Sequence, residues 1–78
     1  MLTAEVALYP QKTSSASSII TDSINSLNRN DLKVEVGSIS TRLQGTEEEV
    51  WDGLKTLFAQ AKDKSEVSMV VTVSNSAV

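Results

Sequence analysis

The side chains able to do chemistry in this sequence are mostly hydroxyls. Thr13, Ser14, Ser15, Ser17 and Ser18 crowd one polar stretch, and Ser40 and Thr41 stand side by side further along. A hydroxyl both donates and accepts hydrogen bonds. Such a stretch therefore either caps the start of a helix or anchors the polar atoms of a small ligand there. The three consecutive carboxylates Glu47, Glu48 and Glu49 suit the positive end of a helix dipole and read as a solvated helix start. There is no His and no Cys. Ser-His and Cys-His nucleophile pairs are thus excluded, as are disulfides, and a zinc site lacks its usual nitrogen and sulfur ligands. No acid/base pair stands out among the carboxylates. The chain is therefore expected to be no enzyme and to carry neither metal nor cofactor.

The frame that must position these groups is small. The chain has 78 residues, 7 Lys+Arg against 10 Asp+Glu, a net charge of -3 and 4 % aromatic residues. That length predicts one domain over residues 1–78. The mild acidity argues against nucleic acid, which recruits basic surfaces. No run approaches the roughly 18–20 apolar residues of a membrane span, and residues 1–10 lack the basic flank and apolar core of a signal peptide. No membrane partner and a cytoplasmic location are the expectations. A domain of this size buries only about 60–65 % of its unfolded surface. Oligomerisation is one usual source of further stability, so a homodimer or homotetramer is expected.

Four strand-like and two helix-like segments follow from the periodicity. In residues 2–9, Leu2, Ala4, Val6 and Leu8 alternate with Thr3, Glu5, Ala7 and Tyr9, the period of a strand with one buried face. Pro10 is expected to end it. Ala16, Ile20, Ile24 and Leu27 fall at helical spacing in residues 15–28, with Ile19 on the shoulder. The Ser, Thr and Asn residues there form helix poorly, so packing must stabilise this helix. Asn28 to Asp31 supplies an exit turn.

Leu32, Val34 and Val36, then Ile39, Thr41 and Leu43, mark two strands joined by a hairpin. Gly37-Ser38 suits a two-residue turn with positive φ at glycine. A tip nearer Ser40 satisfies the alternation too, and the register stays open. Thr46 with Glu49 is a capping-box pattern. Val50, Leu54, Leu57, Phe58 and Ala61 continue from it as a helical stripe, and Lys62 and Lys64 stand at its far end. Gly53 within that helix costs about 1 kcal/mol relative to Ala and suits a close helix–sheet approach. Val67, Met69, Val71 and Val73 alternate with Ser68, Val70 and Thr72 in residues 66–74, and residues 75–78 form a short tail.

The order β-α-β-β-α-β predicts an α+β, ferredoxin-like fold. Its four-stranded antiparallel sheet would carry both helices on one face. Parity assigns Leu2, Ala4, Val6, Leu8, Val34, Val36, Ile39, Leu43, Met69, Val71 and Val73 to the helix side. Thr3, Glu5, Ala7, Tyr9, Lys33, Glu35, Arg42, Ser68, Val70 and Thr72 go to the open face. That face is mixed in polarity and suits a subunit contact. Glu5 is expected to pair with Lys33 or Arg42, across the sheet or across subunits. The plan hosts unrelated functions, several of which this sequence excludes. An iron–sulfur ferredoxin or a Cys-x-x-Cys metal chaperone needs cysteine. An RNA-binding sheet needs exposed aromatics and basic charge.

The stretches Thr3-Ala4-Glu5-Val6-Ala7-Leu8-Tyr9-Pro10, Leu32-Lys33-Val34-Glu35-Val36 and Ser40-Thr41-Arg42-Leu43-Gln44-Gly45, the last running into an acidic helix start, resemble the thiamine-binding YkoF-like family. Its members are small ferredoxin-like domains long described as of unknown function. The resemblance implies non-catalytic binding of thiamine or its hydroxymethylpyrimidine part, and assembly of domains through their sheets. It strengthens the reading of the hydroxyl stretch as a polar anchor at the helix start, with Ser14, Ser15 and Ser18 as the expected ligand residues there. Ser40, Thr41 and Gln44 become the ligand's hydrogen-bond partners, Ser40 standing where the family often has Gly and Gln44 where an acid is common. Thr3, Glu5, Tyr9, Arg42 and Trp51 are the expected interface residues. The other reading is a structural or regulatory interaction module that assembles through the open sheet face without such a ligand.

Overall fold

A computed structural model of the chain describes residues 1–27, 32–37 and 39–76. The exit turn expected at residues 28–31, Ser38 of the hairpin and the last two tail residues lie outside the described residues. The elements are β1 (Leu2–Gln11), α1 (Ala16–Asn25), β2 (Lys33–Val36), β3 (Thr41–Gly45), α2 (Glu47–Lys62) and β4 (Glu66–Ser74). The strands form one sheet in the order β2-β3-β1-β4, every neighbouring pair antiparallel. This is the ferredoxin-like arrangement that the alternation predicts.

The register follows the hydrophobic parity. Ala4 lies between Leu43 and Val73, Val6 between Thr41 and Val71, and Leu8 beside Met69. A one-residue slip would turn this whole set to the open face. Ala4, Val6, Leu27, Leu32, Leu43, Val50, Leu54 and Leu57 form the buried core between sheet and helices. Both residues of the capping box at α2 are engaged. The Glu49 N–H donates to Thr46 Oγ1 at 3.2 Å, and the Thr46 N–H donates to Glu49 Oε1 at 2.8 Å. At Gly53 a Cβ would sit 2.9 Å from Leu32 Cδ2, in the segment entering β2, but 3.6 Å from Leu43 Cδ1 of the sheet, so the tight approach there is to Leu32 rather than to a strand.

Four local expectations are corrected. Pro10 does not end β1 but pairs with Val67, and the strand runs on to Gln11. The physical reason is that β1 pairs with β3 only as far as Val6. Beyond that point one side of β1 is an edge, where a missing donor is tolerated. In α1 the buried positions are Ile19 and Ser23, so the face is centred on the residue assigned to its shoulder. The hairpin tip lies between the two alternatives. The Gly37 N–H donates to the Ser40 carbonyl at 2.9 Å, Val36 pairs with Thr41, and no described glycine has positive φ. Ile39 falls in that connection and is 87 % exposed rather than packed under a helix.

Helix coverage explains a further departure. α1 packs on β1 and α2, while α2 packs on β1, β3 and β4. Neither helix packs on β2, so Val36 has helix-side parity yet stays 66 % exposed.

Candidate functional site

Two helices over four strands leave recesses at both ends of the helix layer, and the two differ in chemistry. The first is a cleft of about 130 Å³ between α1 and the end of the β2–β3 hairpin. Val6 and Leu8 of β1, Ile20 and Ile24 of α1 and Leu57 of α2 supply apolar walls, and Ser40 and Thr41 bring the hydroxyls. The hairpin places these two. The Gly37–Ser40 bond closes the turn, and Thr41 opens β3 opposite both Val36 and Val6. Thr41 is buried and Ser40 half-buried. No residue lining the cleft carries a titratable group. Its chemistry is hydrogen bonding inside an apolar wall, which orients a ligand without moving protons.

The expected ligand residues are not brought together as a set. Ser40 and Thr41 share the cleft. Ser14, Ser15 and Ser18 are exposed around the start of α1 and do not line it. Ser15 is the N-cap of α1, yet its side chain makes no capping bond. Its N–H instead donates to Thr13 Oγ1 at 3.0 Å. Gln44 lies on the other side of the sheet from Thr41, because strand neighbours an odd number apart face opposite ways. There its Nε2 donates to Thr3 Oγ1 at 3.4 Å.

Of the expected interface residues, Thr3, Glu5, Tyr9 and Arg42 share the open face. Arg42 donates to Glu5 Oε1 at 3.1 Å, so Arg42 rather than Lys33 is the partner of Glu5. Lys33 pairs with Glu35 of its own strand at 3.4 Å. Thr3 is buried among its neighbours. Trp51 is on the helix layer, away from the other four, and belongs to the second recess.

That recess is an open groove of about 620 Å³ between α2 and β4. Trp51, Leu54 and Phe58 of α2 and Met69, Val71 and Val73 of β4 line it, with Lys55 and Lys62 at its margin. Phe58 is 37 % exposed and Trp51 46 %, so Phe58 is not the core residue that its spacing suggests. The missed signal is a second stripe on the same helix. Trp51, Lys55, Phe58 and Lys62 repeat at i, i+4, i+7 and i+11 beside the buried stripe of Val50, Leu54, Leu57 and Ala61.

A model of the YKOF-related family matches residues 2–77. The chain belongs to the YKOF-related family. No curated protein matches the chain. Among solved structures, a hypothetical protein of Methanocaldococcus jannascii is similar at 24 % identity and a TM-score of 0.85, over 97 % of this chain and 80 % of that one. A protein of Streptococcus pneumoniae is similar at 18 % identity and a TM-score of 0.89, over 99 % and 88 %. A Thermotoga maritima protein, provisionally described under thiamine biosynthesis and salvage, is similar at 19 % identity and a TM-score of 0.82, over 96 % and 83 %. Likeness at such identities shows the shared fold. Among the described residues no helix is long and apolar enough to cross a membrane.

Proposed function

We propose that this member of the YKOF-related family is a non-catalytic small-ligand binding protein. Its ligand is thiamine or, better suited to the space, the hydroxymethylpyrimidine part alone. The observation that carries the reading is the cleft itself, where two hydroxyl residues meet apolar walls at the Ser40-Thr41 stretch that resembles the family. Its volume of about 130 Å³ is below the roughly 300–1,000 Å³ of drug-sized pockets. A single substituted ring matches it better than the whole two-ring vitamin. Ring nitrogens and an exocyclic amine would find a donor and acceptor in each hydroxyl, and the aliphatic walls would cover the ring faces. Family membership over nearly the full chain and the Thermotoga protein's description support this ligand class. The uncharged lining supports binding without catalysis.

Calorimetric titration of the full chain with hydroxymethylpyrimidine and with thiamine tests it. Saturable heat with the pyrimidine is expected. Thr41→Val keeps the side chain's shape and removes the hydroxyl, so affinity should fall at least tenfold, about 1.4 kcal/mol. No heat from the wild-type chain at millimolar pyrimidine sinks the reading. Unchanged affinity in T41V removes Thr41 from the site.

A further inference from the structure

The two edges of the sheet are built differently. β2 is four residues long and carries Lys33 and Glu35, and shortness and charge both discourage pairing at an edge. β4 is nine residues long and pairs with β1 alone, so its other side is a free edge among the described residues. Residues 67–73 of that edge carry no charge and no proline. In an antiparallel ladder every second residue turns its N–H and C=O away from its partner. β4 therefore presents a row of backbone donors and acceptors along about 30 Å. The groove between α2 and β4 runs beside this row. Met69, Val71 and Val73 form its floor and stay half-buried, whereas Ala4 and Val6 on the same face of β1 are buried. The helix layer thus leaves the floor of the last strand partly bare.

We propose that this edge and groove bind an extended peptide segment of another protein, which joins the sheet as a further strand antiparallel to β4. Strand addition takes its affinity from main-chain hydrogen bonds and its specificity from pockets for alternate side chains. Both are present on this one surface. Apolar side chains at alternate positions of the segment face Trp51 and Phe58 of the groove, and the polar ones between them face the other way. Charge sets the direction. β3 and β4 both run antiparallel to β1, so α2, which joins them, runs opposite to β4. A strand antiparallel to β4 therefore runs in the direction of α2. Glu47 and Glu48 stand one turn before Trp51 on the outer stripe of α2, and Lys55 and Lys62 follow it. None of the ion pairs among the described residues engages these four side chains. The segment is accordingly basic at its start and acidic at its end. A second copy of β4 lacks that pattern. It begins with Glu66 and holds no basic residue, so antiparallel pairing would bring a carboxylate to the acidic end. The surface is separate from the cleft and does not depend on the ligand reading.

The test titrates the full chain with the synthetic peptide Lys-Thr-Val-Thr-Val-Thr-Val-Thr-Glu, read by the emission of Trp51, the single tryptophan. A saturable blue shift is expected. Exchanging the peptide's terminal Lys and Glu should weaken binding at least tenfold, and so should Lys55→Glu with Lys62→Glu in the protein. Adding Glu47→Lys and Glu48→Lys to that chain should transfer its preference to the exchanged peptide. Phe58→Glu should also cost at least tenfold, circular dichroism showing an intact fold. Two further peptides carry N-methyl groups on alternate amides, one on each set. Only one set faces β4, so one of these peptides should fail to bind while the other binds like the parent. No shift at millimolar parent peptide overturns the proposal. Equal binding by the two methylated peptides does so as well, since it leaves no strand pairing. So does a dimer in sedimentation that Phe58→Glu dissociates, which gives the surface to a second copy.

Discussion

The two helices show how differently one short chain can secure equivalent elements. α2 is determined at every level. Its capping box is closed, three acids occupy its first turn, Lys62 is in its last, and Val50, Gly53, Leu54, Leu57 and Ala61 form one buried stripe. It packs on three strands. α1 has ten residues, no side-chain cap, no acid in its first turn and no base in its last. It packs on one strand and on α2. At the centre of its buried face is Ser23, fully buried, whose Oγ has no hydrogen-bond partner among the described residues. An unpaired buried hydroxyl costs about 1–3 kcal/mol. The contrast follows the recesses. The weakly determined helix, lying over β1 alone, leaves the small hydroxyl-bearing cleft between itself and the hairpin. The strongly determined helix, fixed by its inner stripe, frees its outer stripe to line a broad apolar groove.

The sharpest way to break this contrast is to cut into the stripe that fixes α2. Leu57 is fully buried and also walls the cleft. Leu57→Ala should lower stability by about 3 kcal/mol, within the usual 2–5 for such truncations, and should weaken pyrimidine binding as well. Leu54→Ala should cost a comparable amount while sparing the cleft, since Leu54 lines the groove. Urea unfolding and titration of the two variants separate these effects. If both lose the ligand equally, the cleft and the groove are not distinct sites.

The caps give a smaller and cleaner comparison. Thr46→Ala removes the acceptor for the Glu49 N–H and should cost about 1 kcal/mol. Ser15→Ala, at the corresponding position of α1, removes no capping bond, so its unfolding midpoint should stay close to wild type. Equal losses would show that Ser15 caps α1 in solution. The last change has the opposite sign. Ser23→Ala relieves the unpaired hydroxyl and improves helix propensity, and should raise stability by about 1 kcal/mol. A loss on thermal unfolding would mean that this hydroxyl has a partner.

The same contrast decided what could be read along the chain. Residues 46–61 announce themselves, because cap, dipole and apolar spacing all agree and local consistency is legible without a partner. In α1 the serines are silent about direction. The buried face fell on Ile19 and Ser23, and no rule of spacing marks a serine as core. Phe58 has the spacing of the buried stripe but stands beside an edge strand that leaves its flank uncovered. The candidate site was legible in part, through Ser40 and Thr41 at the hairpin end. Grouping Gln44 with them overlooked the pleat, which turns Gln44 toward Thr3.

By itself the sequence determined the elements, their order and the face each strand turns to the core. Those depend on periodicity and local chemistry, which every residue carries with it. Which residues meet was decided by tertiary structure alone. The sheet order sets Ser40 and Thr41 against α1, leaves β2 without a helix, and puts β4 at an edge beside Trp51 and Phe58. Contacts between positions far apart in the chain depend on how the layers cover one another, and no local pattern encodes that coverage.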